Sequence, residues 1–176
     1  MTRARRAVAA AVLLALAAGL VGGGLLLLFR DDDDTTAPAG SLASVLAGAR
    51  PAAAPFADLT EVQLGIGGDC RRVVVADALD ERAVGLMRRR ELGPYQGMLF
   101  VFEGSTQGSF TMSQVPVPLD IGWYDATGRP VDQLVMQPCP EGSVGECPSY
   151  RSRGPYRYAV ETLEGELPGG ALSGCS

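Results

Sequence analysis

The sequence predicts an α+β protein: a small, β-rich, barrel-like domain with one helix, preceded by a single transmembrane helix. Three observations carry this expectation. An unbroken apolar run, Ala7 to Phe29, stands ahead of everything else; short segments that alternate in polarity or run continuously apolar fill Asp58 to Ser176; and one segment among them has helical spacing. The apolar run comes first. As a helix it would reach about 34 Å, slightly more than the hydrocarbon layer of a bilayer. Arg3, Arg5 and Arg6 precede it, and Arg30 with Asp31 to Asp34 follows. The positive-inside bias then leaves residues 1–6 in the cytoplasm and carries the rest across a cell membrane as a single-pass protein.

A cleaved signal peptide would share the basic start and apolar core. Cleavage after Ala15-Leu16-Ala17, however, would leave Gly22 to Phe29 as an exposed apolar stub. An uncleaved anchor is favoured, and a lipoprotein is disfavoured because the first cysteine is Cys70. Gly19 and Gly23 stand four apart in the run, a weak signal for helix pairing in lipid and hence for a homodimer. Residues 30–57 are acidic, then rich in Ala, Pro, Gly, Ser and Thr, with few large apolar side chains. They read as a disordered linker. Residues 58–176 then form one extracytoplasmic domain.

Within that domain, Glu61 to Ile66 alternates Val62, Leu64 and Ile66 with polar or small residues, and Arg71 to Ala76 carries Val73, Val74 and Val75. Both read as strands, joined as a hairpin through Gly67-Gly68-Asp69. Asp77 offers a helix N-cap with Asp80 and Glu81 in the first turn. The helix is expected to run to Arg88, with Leu79, Ala83, Leu86 and Met87 as one apolar stripe. Gly85 inside it predicts close approach of a neighbouring strand. Met98 to Phe102, Ser109 to Met112, Leu119 to Tyr124, Pro130 to Met136 and Arg157 to Leu163 complete the strands. Asp125, Thr127 and Gly128 form a turn, and Pro116-Val117-Pro118 forces an extended entry. So many short strands in so little chain favour a closed sheet, which removes exposed edges.

Four cysteines in an oxidising compartment predict disulfides. Three pairings are open. Cys139 with Cys147 is favoured because Pro138, Pro140, Gly142, Gly145 and Pro148 already make a tight loop, and Cys70 would then pair with Cys175. In the chain-entropy account the two bridges contribute about 2.5 and 4.7 kcal/mol. A zinc site is disfavoured by the lack of a Cys-x-x-Cys spacing and of histidine.

Composition removes many mechanisms. The chain has no histidine, lysine or asparagine, and thus no imidazole base, no Schiff-base amine and no N-glycosylation site. Its net charge is −5, and the part beyond the cytoplasmic arginines is more acidic still, which argues against nucleic acid. Ser105, Ser109, Ser113, Ser149 and Ser152 have no base to activate them. Neither a cofactor nor a metal is expected.

The run Glu81-Arg82, Gly85-Leu86-Met87, Gly97-Met98-Leu99-Phe100, Phe102, Phe110, Met112 and Pro118-Leu119-Asp120 resembles the domain of unknown function 192 family. Asp125, Gly128, Tyr150, Ser152, Pro155, Tyr158 and Glu161 continue the likeness, which spans Val62 to Gly174. The resemblance implies a small β-rich domain with one helix, often exported or membrane-anchored in bacteria and archaea, with no established reaction. Relatives usually read Phe-Trp-Met-Lys-Asn where this chain has Phe110-Thr111-Met112-Ser113-Gln114, so an aromatic, a cation and an amide are replaced.

Two constellations could carry chemistry. Asp120, between Leu119 and Ile121, and Glu161, between Val160 and Thr162, each sit in a strand, and two carboxylates converging in a barrel mouth could hydrolyse envelope carbohydrate by acid and base catalysis. The structural reading, solvent contact or hydrogen bonding to Arg82, Arg157 or a backbone amide, is favoured. Met87, Met98, Met112 and Met136 could offer thioethers to Cu(I), but their spacing follows the core stripes. Arg88, Arg89 and Arg90 read as a basic helix end beside the carbonyl pole. The ligand-binding candidates are Arg82, Phe110, Met112, Asp120 and Tyr158. The favoured function is a non-catalytic binding module, anchored in the membrane through Ala7 to Phe29, for a cell-envelope component or a protein partner.

Overall fold

The computed structural model describes residues 40–140 and 147–175, all within the compact unit Thr35–Ser176. The expected anchor at Ala7 to Phe29, the Gly19 and Gly23 pairing stripe, the cytoplasmic residues 1–6 and linker residues 30–39 lie outside the described residues. Among the described residues no helix is long and apolar enough to cross a membrane.

The elements run α1 (Leu42–Ala47), β1 (Arg50–Pro51), β2 (Thr60–Ile66), β3 (Asp69–Ala76), α2 (Leu79–Val84), β4 (Met98–Thr106), β5 (Ser109–Thr111), β6 (Leu119–Tyr124), β7 (Pro130–Met136), β8 (Ser149–Arg151), β9 (Tyr156–Leu163) and β10 (Leu172–Gly174). The main sheet has the order β1-β2-β3-β4-β9-β6-β7, with β10 also on β2, and β5 pairs with β8 apart from it. Strands β3 and β4 are parallel, with Val74 opposite Met98, and α2 lies in the crossover between them. That connection is what parallel neighbours require. The other pairings are antiparallel, and β2 and β3 form the expected hairpin from Thr60 to Ala76.

The sheet does not close, which corrects the expected barrel. Its far side at β2 is occupied by the short strands β1 and β10, and β7 forms the opposite edge. Short edge strands limit pairing with another chain without closure. On β7 the edge begins with Pro130, which has no N–H to offer, and Asp132 accepts from the Arg153 guanidinium at 2.7 Å.

Both faces of the sheet are covered. On one, Phe100, Met98, Ile121, Trp123, Ala159 and Met136 pack under Leu86, Leu92 and Tyr95. On the other, Leu64, Ile66, Val73, Val75, Leu99 and Val160 pack with Leu42, Leu167 and Leu172. Two buried faces explain why all of β6 is buried and why Val73, Val74 and Val75 run without a polar break.

The expected disordered stretch 30–57 is also corrected where it is described. Ser41 caps α1 by accepting from the Ser44 N–H at 3.1 Å, and Leu42 and Phe56 are buried. Leu42, with half-buried Val45 and Leu46 beside it, suffices on a six-residue helix because α1 packs on β2 and β10, whose apolar face supplies the rest. The domain therefore has two short helices, and its described fold begins near Gly40.

The segment after α1 is locked down by Glu61, which is 2 % exposed. Its carboxylate accepts from Arg72 at 2.6 Å, from the Tyr95 hydroxyl at 2.5 Å and from Arg50 at 2.7 Å. Tyr95 also accepts from the Ala53 N–H, so strand, loop and N-terminal segment share one hub. Disulfides Cys70–Cys175 and Cys139–Cys147 are both formed, with Cα separations of 5.4 and 5.1 Å. The first ties the start of β3 to the end of the described chain.

The hydrogen bonds from Arg72 and Tyr95, and then Arg50, hold the Glu61 carboxyl down to about 2. A folded-state value below the unfolded one adds stability that is present above the unfolded value and lost as pH falls through about 2. The difference in unfolding free energy between wild type and Glu61→Gln should shrink as pH drops from neutrality toward 2, as read by urea denaturation.

Candidate functional site

Helix α2 does not follow the expected outline. Its N-cap is Ala78, one residue later than expected, and the Glu81 carboxylate serves the free N–H groups of Asp77 and Ala78 at 2.9 and 3.0 Å. It ends at Val84 because Gly85 takes φ +47°, a conformation that terminates helices and disfavours side chains. A Cβ there would come within 3.3 Å of the Phe100 ring, so the close approach to a strand is real and sits at the helix end. No residue of α2 is buried. Leu79, expected in the core-facing stripe, is 78 % exposed and Val84 58 %, while Leu86 beyond the helix is buried.

The helix instead forms one wall of a cavity of about 280 Å³, with Phe100, Phe102, Phe110 and Tyr156 opposite and Glu161 among the lining residues. The rings meet edge to face: Phe100 with Phe110 at 5.2 Å and Phe102 with Tyr156 at 5.4 Å. Such pairs rigidify the wall. The Tyr156 hydroxyl donates to the Gly108 carbonyl at 3.0 Å. Tyr156 packs on this face and Tyr158 on the other, at the place where the β4–β9 pairing is irregular, between Val101 and Thr106. Trp123 lies behind Phe110 and Tyr156, and its buried indole N–H has no acceptor among the described residues.

Glu161 is 5 % exposed and has no hydrogen bond among the described residues. Burial pushes its carboxyl up to about 8. Most other polar residues of the family-like pattern have a structural task. Arg82 donates to the Val101 carbonyl at 2.9 Å and to the Asp77 carbonyl, with its guanidinium 5.0 Å over the Phe102 ring. Asp125 accepts from the Thr127 and Arg129 N–H groups in a turn. The Tyr150 hydroxyl accepts from the Gln137 N–H, and the Ser152 hydroxyl donates to the Gly154 carbonyl.

Asp120 and Glu161 do not meet. Ile121 is opposite Glu161 and Asp120 is opposite Thr162, and strand alternation then places the two carboxylates on opposite faces. Asp120 accepts from the Gly165 and Leu167 N–H groups at 2.8 and 3.2 Å and so pins the chain after β9. The paired-carboxylate hydrolase is thereby overturned. Among the ligand-binding candidates, Arg82 and Phe110 line the cavity, Met112 is buried in the core cluster of that face, and Asp120 and Tyr158 belong to the other face. Met98, Met112 and Met136 are core residues, while half-buried Met87 lines the cavity. Among the described residues no group of three His, Cys, Asp or Glu is placed to hold a metal.

Arg88 and Arg89 are not a helix end. Arg88 donates through its backbone N–H and its guanidinium to Gln114, at 2.7 and 2.8 Å, and Arg89 donates to the Pro55 carbonyl at 3.1 Å. Gln114, one of the positions where this chain departs from its relatives' usual pattern, thus has a partner of its own. Sequence reasoning missed Phe100, Phe102 and Tyr156 as site residues. The alternation of Phe100 with Phe102 was a usable signal for a shared face; nothing in the sequence marks the irregularity beside Tyr156.

The geometry defines a disulfide-stapled α+β domain with an aromatic-walled cavity lined by an acid that has no hydrogen-bond partner among the described residues. The sequence profile of the DUF192 family, described as uncharacterized ACR, matches residues 62–169, more than half of the chain, and the chain belongs to that family. Its fold is similar to a crystal structure of a protein of unknown function from Novosphingobium aromaticivorans, at 26 % identity and TM-score 0.58, over 71 % of this chain and 93 % of that one. It is also similar to a Sinorhizobium meliloti protein provisionally described as a transcription regulator, at 25 % identity and TM-score 0.52, over 64 % of this chain and 90 % of that one. No match is found among curated proteins.

An acid whose folded-state value lies above its unfolded one stabilises least at high pH: stability is greatest below the unfolded value and falls as pH rises toward about 8. Glu161→Gln should therefore gain stability over wild type at pH 8, on the order of 4 to 5 kcal/mol at most, and lose that advantage by pH 4. Urea denaturation of both proteins across this range checks it.

Proposed function

We propose that this protein is a membrane-anchored extracytoplasmic binding module, tethered through Ala7 to Phe29, whose ligand enters the cavity between α2 and the β4-β9 face. The observation that carries the reading is Glu161, buried in an aromatic-walled cavity without a hydrogen-bond partner among the described residues. Burying such a group has a cost that a purely structural position would relieve with a partner or an apolar residue. A site for a ligand reverses that logic, because the partner arrives with the ligand. The exposed Leu79 and Val84 at the rim supply apolar surface that a ligand would cover. The address rests on the basic start, the apolar run and the two disulfides, which fit an oxidising compartment.

Ala83 is exposed on α2 and lines the cavity, so Ala83→Trp should block the mouth without disturbing the core. A panel of soluble cell-envelope fragments is screened by thermal unfolding of the full-length chain. A ligand at a hundred times its Kd should stabilise the wild type by about 2.7 kcal/mol and the blocked variant not at all. A stabilisation that survives in Ala83→Trp would rule the cavity out. For the address, thiol labelling in intact cells should find all four cysteines oxidised and the C-terminal domain open to external protease once the outer layers are permeabilised. Reduced, protease-shielded cysteines would overturn the extracytoplasmic placement.

A further inference from the structure

We infer that the cavity takes an alkylammonium group, a primary amine on a short apolar stem, with the ammonium against Glu161 and the stem between the Phe100, Phe102 and Phe110 rings. The inference rests on the binding reading above and adds the class of ligand. Size is the first argument. A cavity of about 280 Å³ is at or below the lower limit for drug-sized ligands and suits a group the size of a side chain.

Charge is the second. The ionisable groups that line the cavity are Arg82 from α2 and Tyr156 and Glu161 from β9, while β4 and β5 supply none. Arg82 is engaged by the Val101 and Asp77 carbonyls and lies over Phe102, and the Tyr156 hydroxyl is engaged by Gly108. Glu161 is the group left to answer a ligand. An ionised carboxylate only accepts hydrogen bonds, so the complement is a cationic donor, and ring faces add attraction for a cation. A primary ammonium supplies N–H donors that a quaternary one lacks. An anion would meet Glu161 in the same small space. The net charge of −5 favours arrival of cations. The chain contains no lysine, so the amine comes from another kind of molecule, either as a free amine or as a lysine side chain of a partner peptide.

The test uses the full-length protein in a non-ionic amphipol, which has no indole. Trp123 is the chain's sole tryptophan and lies 6.1 and 6.3 Å from the cavity rings of Phe110 and Tyr156, so its emission reports occupancy. The probes are n-butylammonium, n-butanol, butyrate and Nα-acetyl-lysine methylamide. At pH about 9, where Glu161 is ionised and the amine still charged, we expect n-butylammonium to bind at least about tenfold more tightly than n-butanol, and butyrate most weakly. Because the free-state Glu161 titrates near 8, the n-butylammonium Kd should tighten about tenfold per pH unit from 6 to 7 and level off above about 8. Glu161→Gln should remove both the preference and the pH dependence. Should that variant fold poorly, the wild-type pH profile decides alone. Tighter binding of the lysine derivative than of n-butylammonium identifies a peptide source, and weaker binding a free amine; both uphold the ammonium assignment. Equal affinity for n-butanol and n-butylammonium at pH about 9, or a flat pH profile, overturns that assignment while leaving the cavity a binding site. Absence of binding by every probe, butanol included, overturns the assignment together with the cavity reading.

Discussion

Strand β9 is hydrogen-bonded on both sides, to β4 and to β6, and that double pairing sets the register on which the site depends. Leu99 faces Val160 on one side while Ile121 faces Glu161 on the other. Because side chains alternate with a period of two, a slip of one residue would turn Glu161 into the opposite core and bring Val160 to the cavity. Such a slip is blocked by the two buried faces at once: Ala159 belongs to one packed cluster and Val160 to the other. The position of a single acid is thus secured by apolar packing on both sides of a strand.

That security matters because Glu161 opposes folding at neutral pH. Its burial without a partner among the described residues is the kind of local cost that persists at functional positions and is offset elsewhere in a molecule. The offsetting elements here are distant from the cavity. Glu61 gathers Arg50, Arg72 and Tyr95 around one carboxylate, and Cys70–Cys175 restrains the unfolded chain over a separation of 105 residues. The contrast between the two glutamates is instructive. Both are almost fully buried, and hydrogen bonds from two cations and a phenol lower one, whereas desolvation raises the other.

The strands and the hairpin were legible because short-range patterns dictate them: alternating Val62, Leu64 and Ile66, the valine run, and Gly67-Gly68 at the turn. The disulfide pairing was legible for a related reason, since prolines and glycines already close the Cys139 to Cys147 loop. The ordering of Leu42 to Phe56 was not. Its composition is poor in apolar residues, and its order comes from a surface built by β2 and β10, far away in sequence. Closure of the sheet was wrongly expected, because edge protection can come from short strands and a proline as well as from a barrel. Helix α2 was overextended, because its apolar residues were read as a core stripe when several of them line a cavity and stay exposed.

By itself the sequence determined the family, the β-rich class of fold and, in outline, strands β2 to β7 and β9, and it favoured the disulfide partners that form, because each follows from local spacing or from residues that stand in a fixed order; the short strands β8 and β10 carry no such pattern. Only the tertiary structure decided that Asp120 and Glu161 face apart, that Tyr156 and Phe102 share a cavity with Glu161, and that Arg82 is occupied by backbone carbonyls. Those outcomes depend on which strands become neighbours and on a register shift within one pairing, and no local pattern encodes either.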